Sequence, residues 1–525
     1  MADSYLLVIA AISIFYLISV LTTTRKLPKD SNYPPGPPGK PIVGNLLDIP
    51  PEHSWLKFKQ WSDKYGSLMR LSLGGQNHYV ASTEKVANDL LRKRGNLYSS
   101  RDQLPAAAQL LSRNLRPLFL PYNSIWREGR RFMHQVANSQ VADTYEPTLA
   151  LESVRLLKDL IRDPRKYDHW FRRYSTSVVF RLAFGRVIEG EGDDVLIETE
   201  AVVHTVERVA SPGAYLVDMF RWLVYIPSFL APFKRELNWL HERELKLFRG
   251  LMNDIREKMQ VGKAPPCWER DFIEHESEFN LTQDEGAYVV GTLFEAGAST
   301  TAAAMMSFVF AIVHHLEWLS KMQDEIDTVC GDDRLPSLGD MPQLPTVRAV
   351  MKETLRWRPV TAGGVPHLLI KDDVYDGHFI PAGTNIHPNQ WAIHREPELY
   401  PGPEDFDPTR WLDPTFPTYR EPLSTYPNLN NFSAFGFGRR FCPGHAVAER
   451  SLHLLCARIA WVCDIKRAKD KAGHEIVPPL YDYTSGFNTQ PKWFPFDLTV
   501  RSDEKLRTIN QEYENNLKTD PLRGH

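Results

Sequence analysis

The chain has 525 residues, of which 42% are hydrophobic and 24% charged, so it can bury a large core and does not resemble a disordered protein. Its formal net charge is −3 at pH 7, so the charge balance gives no indication of nucleic-acid binding. The five cysteines are too scattered for a disulfide framework and form no C-x-x-C pair, which argues against a zinc site. We therefore expect a globular protein of a reducing compartment.

An uncharged apolar segment at residues 5–21 begins the chain. At about 1.5 Å per residue it nearly crosses a bilayer core of roughly 30 Å. Asp3 precedes the segment, and the residues that follow it are basic: Arg25, Lys26 and Lys29. This order favours an uncleaved anchor over a signal peptide and leaves the rest of the chain in the cytosol. Residues 1–25 are therefore predicted to be a single transmembrane signal-anchor.

Proline density and polarity predict the remaining boundaries of the chain. Residues 26–45 contain six prolines, five of them at positions 34–41, and are predicted to form an extended, stiff hinge. No linker or charge run divides residues 46–501, so we expect one domain there. The polar residues 502–525 are predicted to be a C-terminal tail, either a surface helix or a frayed end.

Helical patterns dominate the predicted domain, and short β-rich segments occur at residues 68–73, 78–80 and 378–386. The longest helix is predicted to begin at the capping box Thr282-Gln283-Asp284-Glu285 and to run towards His315. Gly291 and Gly297 lie inside it, and each costs about 1 kcal/mol relative to alanine. The helix therefore must leave room for something beside these glycines.

The segment Phe435–Gly444 places one cysteine in an unusual setting. Gly436 and Gly438 permit a tight turn, and Arg439 and Arg440 precede Cys442 by three and two residues. A helical apolar run follows, so Cys442 lies just before a helix N-terminus, which favours a negative charge. The sequence thus predicts a thiolate suited to bind haem iron.

These ten residues match the signature F-x-x-G-x-R-x-C-x-G at every defined position, and here the chain resembles the cytochrome P-450 family. The resemblance extends from the hinge to beyond Cys442 and is to the microsomal members of the family. The sequences at residues 294–297 and 387–395 are most similar to those of fungal enzymes of secondary metabolism. It implies a mainly α fold, a helical triangular prism with a small β-rich lobe, following an N-terminal single transmembrane helix. It also implies haem b with Cys442 as the iron ligand and a set of further haem contacts: Trp126, Arg130, His367, Phe435, Gly436, Arg440 and Gly444.

The segment Ala296-Gly297-Ala298-Ser299-Thr300 resembles the family's oxygen-binding groove, [A/G]-G-x-[D/E]-T. The resemblance implies that Gly297 opens the helix beside the iron and that Ser299 and Thr300 pass protons to dioxygen, with Ala296 completing the groove. Serine stands where the family has an acid, and a serine hydroxyl can relay a proton but cannot hold a charge. Glu295, one residue before the motif, is a candidate to supply the missing carboxylate.

A second motif, Glu353-Thr354-Leu355-Arg356, places a carboxylate and a guanidinium on one helix face. Downstream, residues 403–411 resemble the family's aromatic–arginine segment, whose arginine joins the E-x-x-R pair. The resemblance implies a buried structural triad of Glu353, Arg356 and Arg410 that holds the haem-binding core.

The function implied by the resemblance is haem-thiolate monooxygenation, in which one oxygen atom of O2 enters a C–H bond of an apolar small molecule. Electrons would come from NADPH through a separate NADPH–cytochrome P-450 reductase, with cytochrome b5 as an optional second donor. The implied location is the endoplasmic reticulum membrane, single-pass, with a cytosolic catalytic domain and no nucleic-acid partner.

Ser299 leaves two further activities open: a haem-thiolate isomerase or dehydratase, and an oxidative coupling or ring-forming enzyme. A membrane-tethered haem protein that binds gas without turnover is the alternative from another class, and Thr300 beside Gly297 argues against it. Substrate contacts are expected from residues 102–122, 212–233, 293–294, 362–365 and 485–487. The specific candidates are Leu293, Phe294, Gly364, Val365 and Phe487, while the identity of the substrate is not implied.

Overall fold

The computed structural model describes residues 27–188, 194–211 and 213–522. The predicted signal-anchor, residues 1–25, lies outside the described residues. Within them, one helix is long and apolar enough to cross a bilayer, Gln283–His314, and 72% of its most apolar window is buried in the protein. That helix therefore belongs to the core.

The described residues form twelve α-helices of seven residues or more. They are α1 Ser54–Tyr65, α2 Ser124–Ala137, α3 Glu146–Arg162, α4 Tyr167–Phe184, α5 Asp194–Ala210, α6 Pro232–Gln260, α7 Trp268–Glu274, α8 Gln283–His314, α9 Leu316–Cys330, α10 Pro345–Trp357, α11 His445–Val462 and α12 Asp503–Thr519. Shorter α-helical turns are Glu84–Ala87, Gly95–Tyr98, Ser139–Asp143, Leu216–Met219 and Gln390–Ile393, and two wide π-helical turns are Asn88–Lys93 and Pro105–Leu111. The predicted mainly α fold is confirmed.

Eight short strands make up the β-rich part of the described chain. They are β1 Leu68–Leu73, β2 Gln76–Ala81, β3 His367–Leu368, β4 Asp373–Tyr375, β5 His378–Ile380, β6 Asn385–Pro388, β7 Cys463–Arg467 and β8 Phe496–Val500. One sheet has the order β1-β2-β6-β3, with β1 and β2 antiparallel and β2 and β6 parallel, while β4–β5 and β7–β8 are antiparallel pairs. The β-rich segments that the sequence predicted therefore all contain strands.

Helix α8 begins at the predicted capping box and is packed along α4. The Thr282 amide donates to the Glu285 carboxylate at 2.7 Å, and the Glu285 amide donates to the Thr282 hydroxyl at 3.3 Å. The room left by the glycines is taken by neighbouring side chains. A Cβ on Gly291 would lie 2.7 Å from the Phe248 ring, and a Cβ on Gly297 would lie 2.3 Å from Val179.

Both ends of the described chain pack on the domain. The proline-rich hinge is docked along β1, where the Arg70 amide donates to Pro35 O at 2.9 Å. The segment predicted to be a surface helix or a frayed end forms the helix α12, and its Ile509 is fully buried. Just beyond α12, the Asp520 carboxylate accepts hydrogen bonds of 2.9 and 2.7 Å from the buried Arg181. The C-terminal residues through 522 are therefore an integral part of the fold.

Candidate active site

A cavity of about 360 Å³ lies between the middle of α8 and the loop that carries Cys442. This volume is in the range typical of small-molecule sites, roughly 300–1,000 Å³. Ala296 is exposed although it lies in the middle of the core helix α8, because it faces this open space. Helices α4, α5 and the beginning of α11 supply further walls.

The loop before α11 presents the Cys442 side chain to the cavity. Gly436 and Gly438 have φ angles of +87° and +55°, which side chains rarely adopt, and a Cβ on Gly438 would lie 2.2 Å from Leu91 O. The Cys442 amide donates to Phe435 O at 2.8 Å and closes the turn. The predicted glycine turn is therefore what aims the sulfur at the cavity.

The sequence predicted that a helix N-terminus and neighbouring arginines hold Cys442 as a thiolate. In the structure burial outweighs these effects and raises the pKa of the Cys442 thiol, although the Gly444 and His445 amides and the Arg130 charge lower it in part. Arg439 is exposed and donates to the Tyr122 hydroxyl at 2.9 Å, so it does not face the sulfur. The thiolate would thus depend on bonding to a metal ion, which deprotonates a thiol outright.

Arg440 and the pair Trp126 and Arg130 meet beside the Cys442 loop. The Arg440 guanidinium donates to Ser99 O at 2.7 Å and to Leu120 O at 2.6 Å, and it lies 4.2 Å from the centre of the Trp126 ring. Arg130 donates to Phe441 O. Three sequence-predicted contacts are therefore brought together, with Arg440 on the cavity wall itself.

Sequence reasoning missed Arg101, a second buried arginine on this wall. Its guanidinium donates to Val365 O at 2.9 Å and to Pro366 O, next to the predicted His367, whose Nδ1 lies 2.8 Å from Tyr98 O. Burial lowers the pKa of Arg101, Arg440 and His367. Arg101 stands in no recognisable motif, so only the folded chain reveals it.

Neither Arg101 nor Arg440 is paired with a carboxylate of the described residues, although both guanidinium groups are largely buried. Buried cations are costly without an anion, and a bound group carrying carboxylates would satisfy them. The cavity wall also has open space where a Cβ on Gly444 would meet nothing within 4 Å. A soft sulfur ligand, a cationic rim and open glycine positions fit a haem with its propionates.

The groove motif at residues 296–300 of α8, here called the α8 groove, and the residue before it depart from the sequence-based expectation at two positions, Gly297 and Glu295. The Thr300 hydroxyl donates to Ala296 O at 2.7 Å and lines the cavity. Gly297 also lines it, but its missing side chain makes room for Val179 rather than for a ligand. Glu295 is held by two hydrogen bonds of 2.9 and 2.8 Å from the buried Arg116, so its proposed role as the missing acid is wrong.

Four of the five predicted substrate contacts line the cavity: Leu293, Gly364, Val365 and Phe487. The prediction for Phe294 is wrong, because its ring packs edge-on against Phe180 at 5.0 Å and also contacts Phe184 in the core. Residues 213–233 do not line the cavity either. Aliphatic side chains that the sequence did not single out provide much of its wall: Val178, Val179, Val203, Val206 and Val360.

The predicted triad lies together behind the site, fully buried. Arg356 donates to the Glu353 carboxylate at 2.8 and 2.7 Å, and Arg410 Nε donates to it at 3.3 Å. The Trp411 indole and the Asp407 amide complete the partners of Glu353 at 3.1 and 2.9 Å. Arg356 also donates to three backbone carbonyls of the segment after β6, so this network ties α10 to the approach of the Cys442 loop.

Comparisons with known proteins agree with this site. A profile of the family described as cytochrome P-450 matches residues 34–475. Cytochrome P-450 monooxygenase fogE of Aspergillus ruber is 39% identical over 98% of this chain and 94% of its own length. Cytochrome P-450 monooxygenase virE of Hypocrea virens is 37% identical over 93% and 89%, respectively.

A solved structure of a zebra fish cytochrome P-450 with abiraterone aligns with a TM-score of 0.68 at 24% identity and covers 85% of this chain and all of that one. At 24% identity this structural similarity supports the fold assignment alone. The family profile over residues 34–475 and the two relatives over 93–98% of the chain all include the Cys442 loop and the α8 groove. This chain belongs to the cytochrome P-450 family and is a monooxygenase of that family.

Proposed function

We propose that the protein inserts one oxygen atom of dioxygen into a C–H bond of an apolar small molecule, with a secondary metabolite as the expected class. The observation that carries the proposal is the shared cavity, which Cys442, residues 296, 297, 299 and 300 of α8, and the unpaired Arg101 and Arg440 all line. Haem b is the proposed cofactor, and electrons would come from NADPH through a separate reductase, as membership of the family implies.

Different residues of the cavity would bind different parts of the cofactor. Cys442 would ligate the iron, and Arg101, His367 and Arg440 would hold the propionates with charge-assisted hydrogen bonds. The bound haem would supply the activation of dioxygen. The buried triad would keep this framework rigid from behind, since none of its members reaches the cavity.

The opposite wall would position the substrate and deliver protons. Valines of α4 and α5 give an apolar surface that excludes water and fits an apolar molecule. Thr300 presents its hydroxyl oxygen at the groove, where it can accept and pass a proton. Ser299 was the reason to consider an isomerase or dehydratase, but its hydroxyl donates to the Glu207 carboxylate at 2.8 Å. A carboxylate near the groove favours the monooxygenase over those alternatives.

We also propose attachment to the endoplasmic reticulum membrane, with the domain in the cytosol. The support within the described residues is a patch of exposed apolar side chains from two segments: Ile42, Leu47, Leu216, Trp222, Tyr225, Phe229 and Leu230. The two segments meet at the β1–β2 turn, where the Gly74 amide donates to Val43 O and a Cβ on Gly74 would lie 2.9 Å from Met219 O. Contiguous exposed apolar surface is typical of membrane or partner contacts.

The activity is tested in microsomes from a host that co-expresses the chain with an NADPH–cytochrome P-450 reductase. Metabolite profiles with isotopically labelled dioxygen are compared with those of the Cys442→Ser variant. We expect a product that carries the label and requires NADPH. A product formed without NADPH would indicate an isomerase or dehydratase. If the protein binds haem but forms no product from any of the metabolite mixtures supplied, this would indicate a gas-binding protein.

The membrane proposal is tested by fractionating cells that express the full chain or a form without residues 1–25. The full chain should sediment with membranes and resist extraction by salt. The shortened form should move towards the soluble fraction, with residual binding that falls when Trp222 and Phe229 are both replaced by serine. Secretion or free solubility of the full chain would contradict the proposal.

A further inference from the structure

One carboxylate reaches the α8 groove from a different helix. Glu207 of α5 lines the cavity, and its Oε1 accepts a hydrogen bond of 2.8 Å from the Ser299 hydroxyl. The same Oε1 accepts a hydrogen bond of 3.0 Å from Asn488, which lies beside Phe487 on another wall. The side-chain amide of Asn488 in turn accepts from the Thr361 hydroxyl at 3.3 Å. Two side chains from other parts of the chain thus hold this carboxylate oxygen in place, and Thr361 in turn holds one of them.

Ser299 stands directly before Thr300, at the position where the family's groove carries an acid. The bond from Ser299 to Glu207 therefore restores, in space, the carboxylate that the local sequence lacks. Two acidic side chains of the described residues line the cavity, Glu207 and Glu295. Glu295 is committed to Arg116, which also pairs with Glu244 at 2.7 Å. Among the residues that the structure describes, no arginine or lysine pairs with Glu207, whose Oε1 accepts only from Ser299 and Asn488.

The second oxygen of Glu207 lies near an exposed side chain of its own helix. Glu207 Oε2 lies 4.0 Å from Nδ1 of His204, whose side chain is 68% exposed, and the Glu207 side chain itself is 30% exposed. The carboxylate therefore bridges a solvent-accessible side of α5 and the Ser299 hydroxyl. This is the arrangement that a proton carrier needs, because it must be recharged from solvent and discharge into the site.

We propose that Glu207 is the proton-holding carboxylate of the α8 groove and that it acts through Ser299, with Asn488 as a positioning residue. The inference rests on the proposed haem-dependent function. In one delivery, the Glu207 carboxyl gives its proton to Ser299 Oγ, and Ser299 releases its own hydroxyl proton towards Thr300 and the cavity. A proton from solvent then restores Glu207. Each transfer breaks and forms one O–H bond, and no electron moves.

The test uses the full-length holoenzyme and the isosteric variant Glu207→Gln. Glutamine can still accept from Ser299 and Asn488, so the fold and the contacts are kept while the ability to hold a proton is lost. Glu200→Gln is the matched control, because Glu200 is an exposed carboxylate two turns earlier on the same helix. Carbon monoxide serves as the probe ligand for the reduced haem.

The first measurement is the light-induced infrared difference spectrum of the carbon-monoxide complex, which needs no turnover. We expect a carboxyl C=O band that responds to release of the probe and shifts in D2O. It should persist in Glu200→Gln and be lost in Glu207→Gln. A band unaffected by Glu207→Gln, or no carboxyl band in the wild type, would overturn the inference.

The second measurement is the peroxide released per NADPH consumed with reductase and without substrate. We expect a several-fold rise in Glu207→Gln, no change in Glu200→Gln, and restoration when Ser299→Asp is added to Glu207→Gln. If Glu207 instead anchors a substrate, its loss leaves both substrate-free measurements unchanged, which refutes the proton role. If the carbon-monoxide complex of the wild type lacks the spectrum of thiolate ligation, the proposed function itself is contradicted. If that spectrum is normal but Glu207→Gln has no effect in either measurement, only this inference is contradicted.

Discussion

Gly297 of α8 lies so close to α4 that a Cβ built on it would be 2.3 Å from Cγ1 of Val179. The two helices pack against each other, and at Gly297 the Val179 side chain of α4 occupies the space that a side chain of α8 would need. The glycine of the groove motif is therefore required by helix packing, in addition to any role beside a ligand. Its cost to the helix, about 1 kcal/mol relative to alanine, is offset by this contact.

Gly297→Ala is expected to destabilise the protein by about 1–3 kcal/mol, the usual cost of overpacking a core. The loss should shrink when Val179→Ala is present, because the clashing methyl is removed. Gly250→Ala is the control, since a Cβ on Gly250 of α6 would meet nothing within 4 Å, and it should stabilise by roughly 0.5–1 kcal/mol. Thermal unfolding of the four variants tests this, and an equal loss in both Val179 backgrounds would contradict it.

The Glu353–Arg356–Arg410 network is predicted to be structural. Its side chains are at most 1% exposed, and removing one partner leaves a buried charge unpaired. Glu353→Ala should therefore destabilise by about 3–5 kcal/mol and yield little holoprotein. Glu274→Ala, which breaks the exposed pair with Arg270, should change stability by less than about 1 kcal/mol. Normal haem content and stability in Glu353→Ala would contradict the assignment.

Arg101, which no sequence motif marked, is predicted to hold a haem propionate. Arg101→Gln should lower the haem-to-protein ratio and speed haem loss to an acceptor protein, because one charge-assisted partner is removed. The matched control is Arg113→Gln, an exposed arginine in the same region that pairs with Glu242. Circular dichroism confirms that both variants are folded. Equal haem retention in the two would show that Arg101 has no such role.

The hydrogen-bonded pair His78 and His387, 2.8 Å apart between β2 and β6, is predicted to make the fold sensitive to acid. Burial lowers the pKa of His78 to about 4 and that of His387 to about 3, from an ordinary value of 6.5. The unfolded chain therefore binds more protons than the folded chain between pH 6.5 and about 4, so the free energy of unfolding falls as the pH falls through this window.

Replacing His387 by glutamine should flatten the pH dependence of the melting temperature in that window. Each unit of pKa shift corresponds to about 1.4 kcal/mol, so the change should be readily measured. Arg221 also faces His78, and Asp102 faces His387. An unaltered slope in His387→Gln would contradict the prediction.

The sequence predicted those features that local rules or motif spacing determine. The capping box placed the start of α8 correctly, and the β-rich segments at residues 68–73 and 78–80 correctly located β1 and β2. Long-range contacts were not predictable in this way. Arg101 and Glu207 stand in no motif, and they reach the cavity through the packing of segments far apart in the chain.

Two misassigned residues show the same limit. Glu295 and Phe294 lie on α8 close to the groove in sequence, yet partners from elsewhere fix their directions. Arg116 holds the Glu295 carboxylate, and Phe180 and Phe184 hold the Phe294 ring. Whether a helix position faces a cavity or a neighbouring helix is decided by those neighbours, so sequence spacing alone did not distinguish the two.

The most direct test of the central claim is the absorption spectrum of the reduced carbon-monoxide complex of the wild-type protein and of Cys442→Ser. Because Cys442 is the proposed iron ligand, the wild type should show the strongly red-shifted Soret band of thiolate ligation, and the variant should lack it. A wild-type protein that binds haem without this band, or a variant that keeps it, would contradict the account.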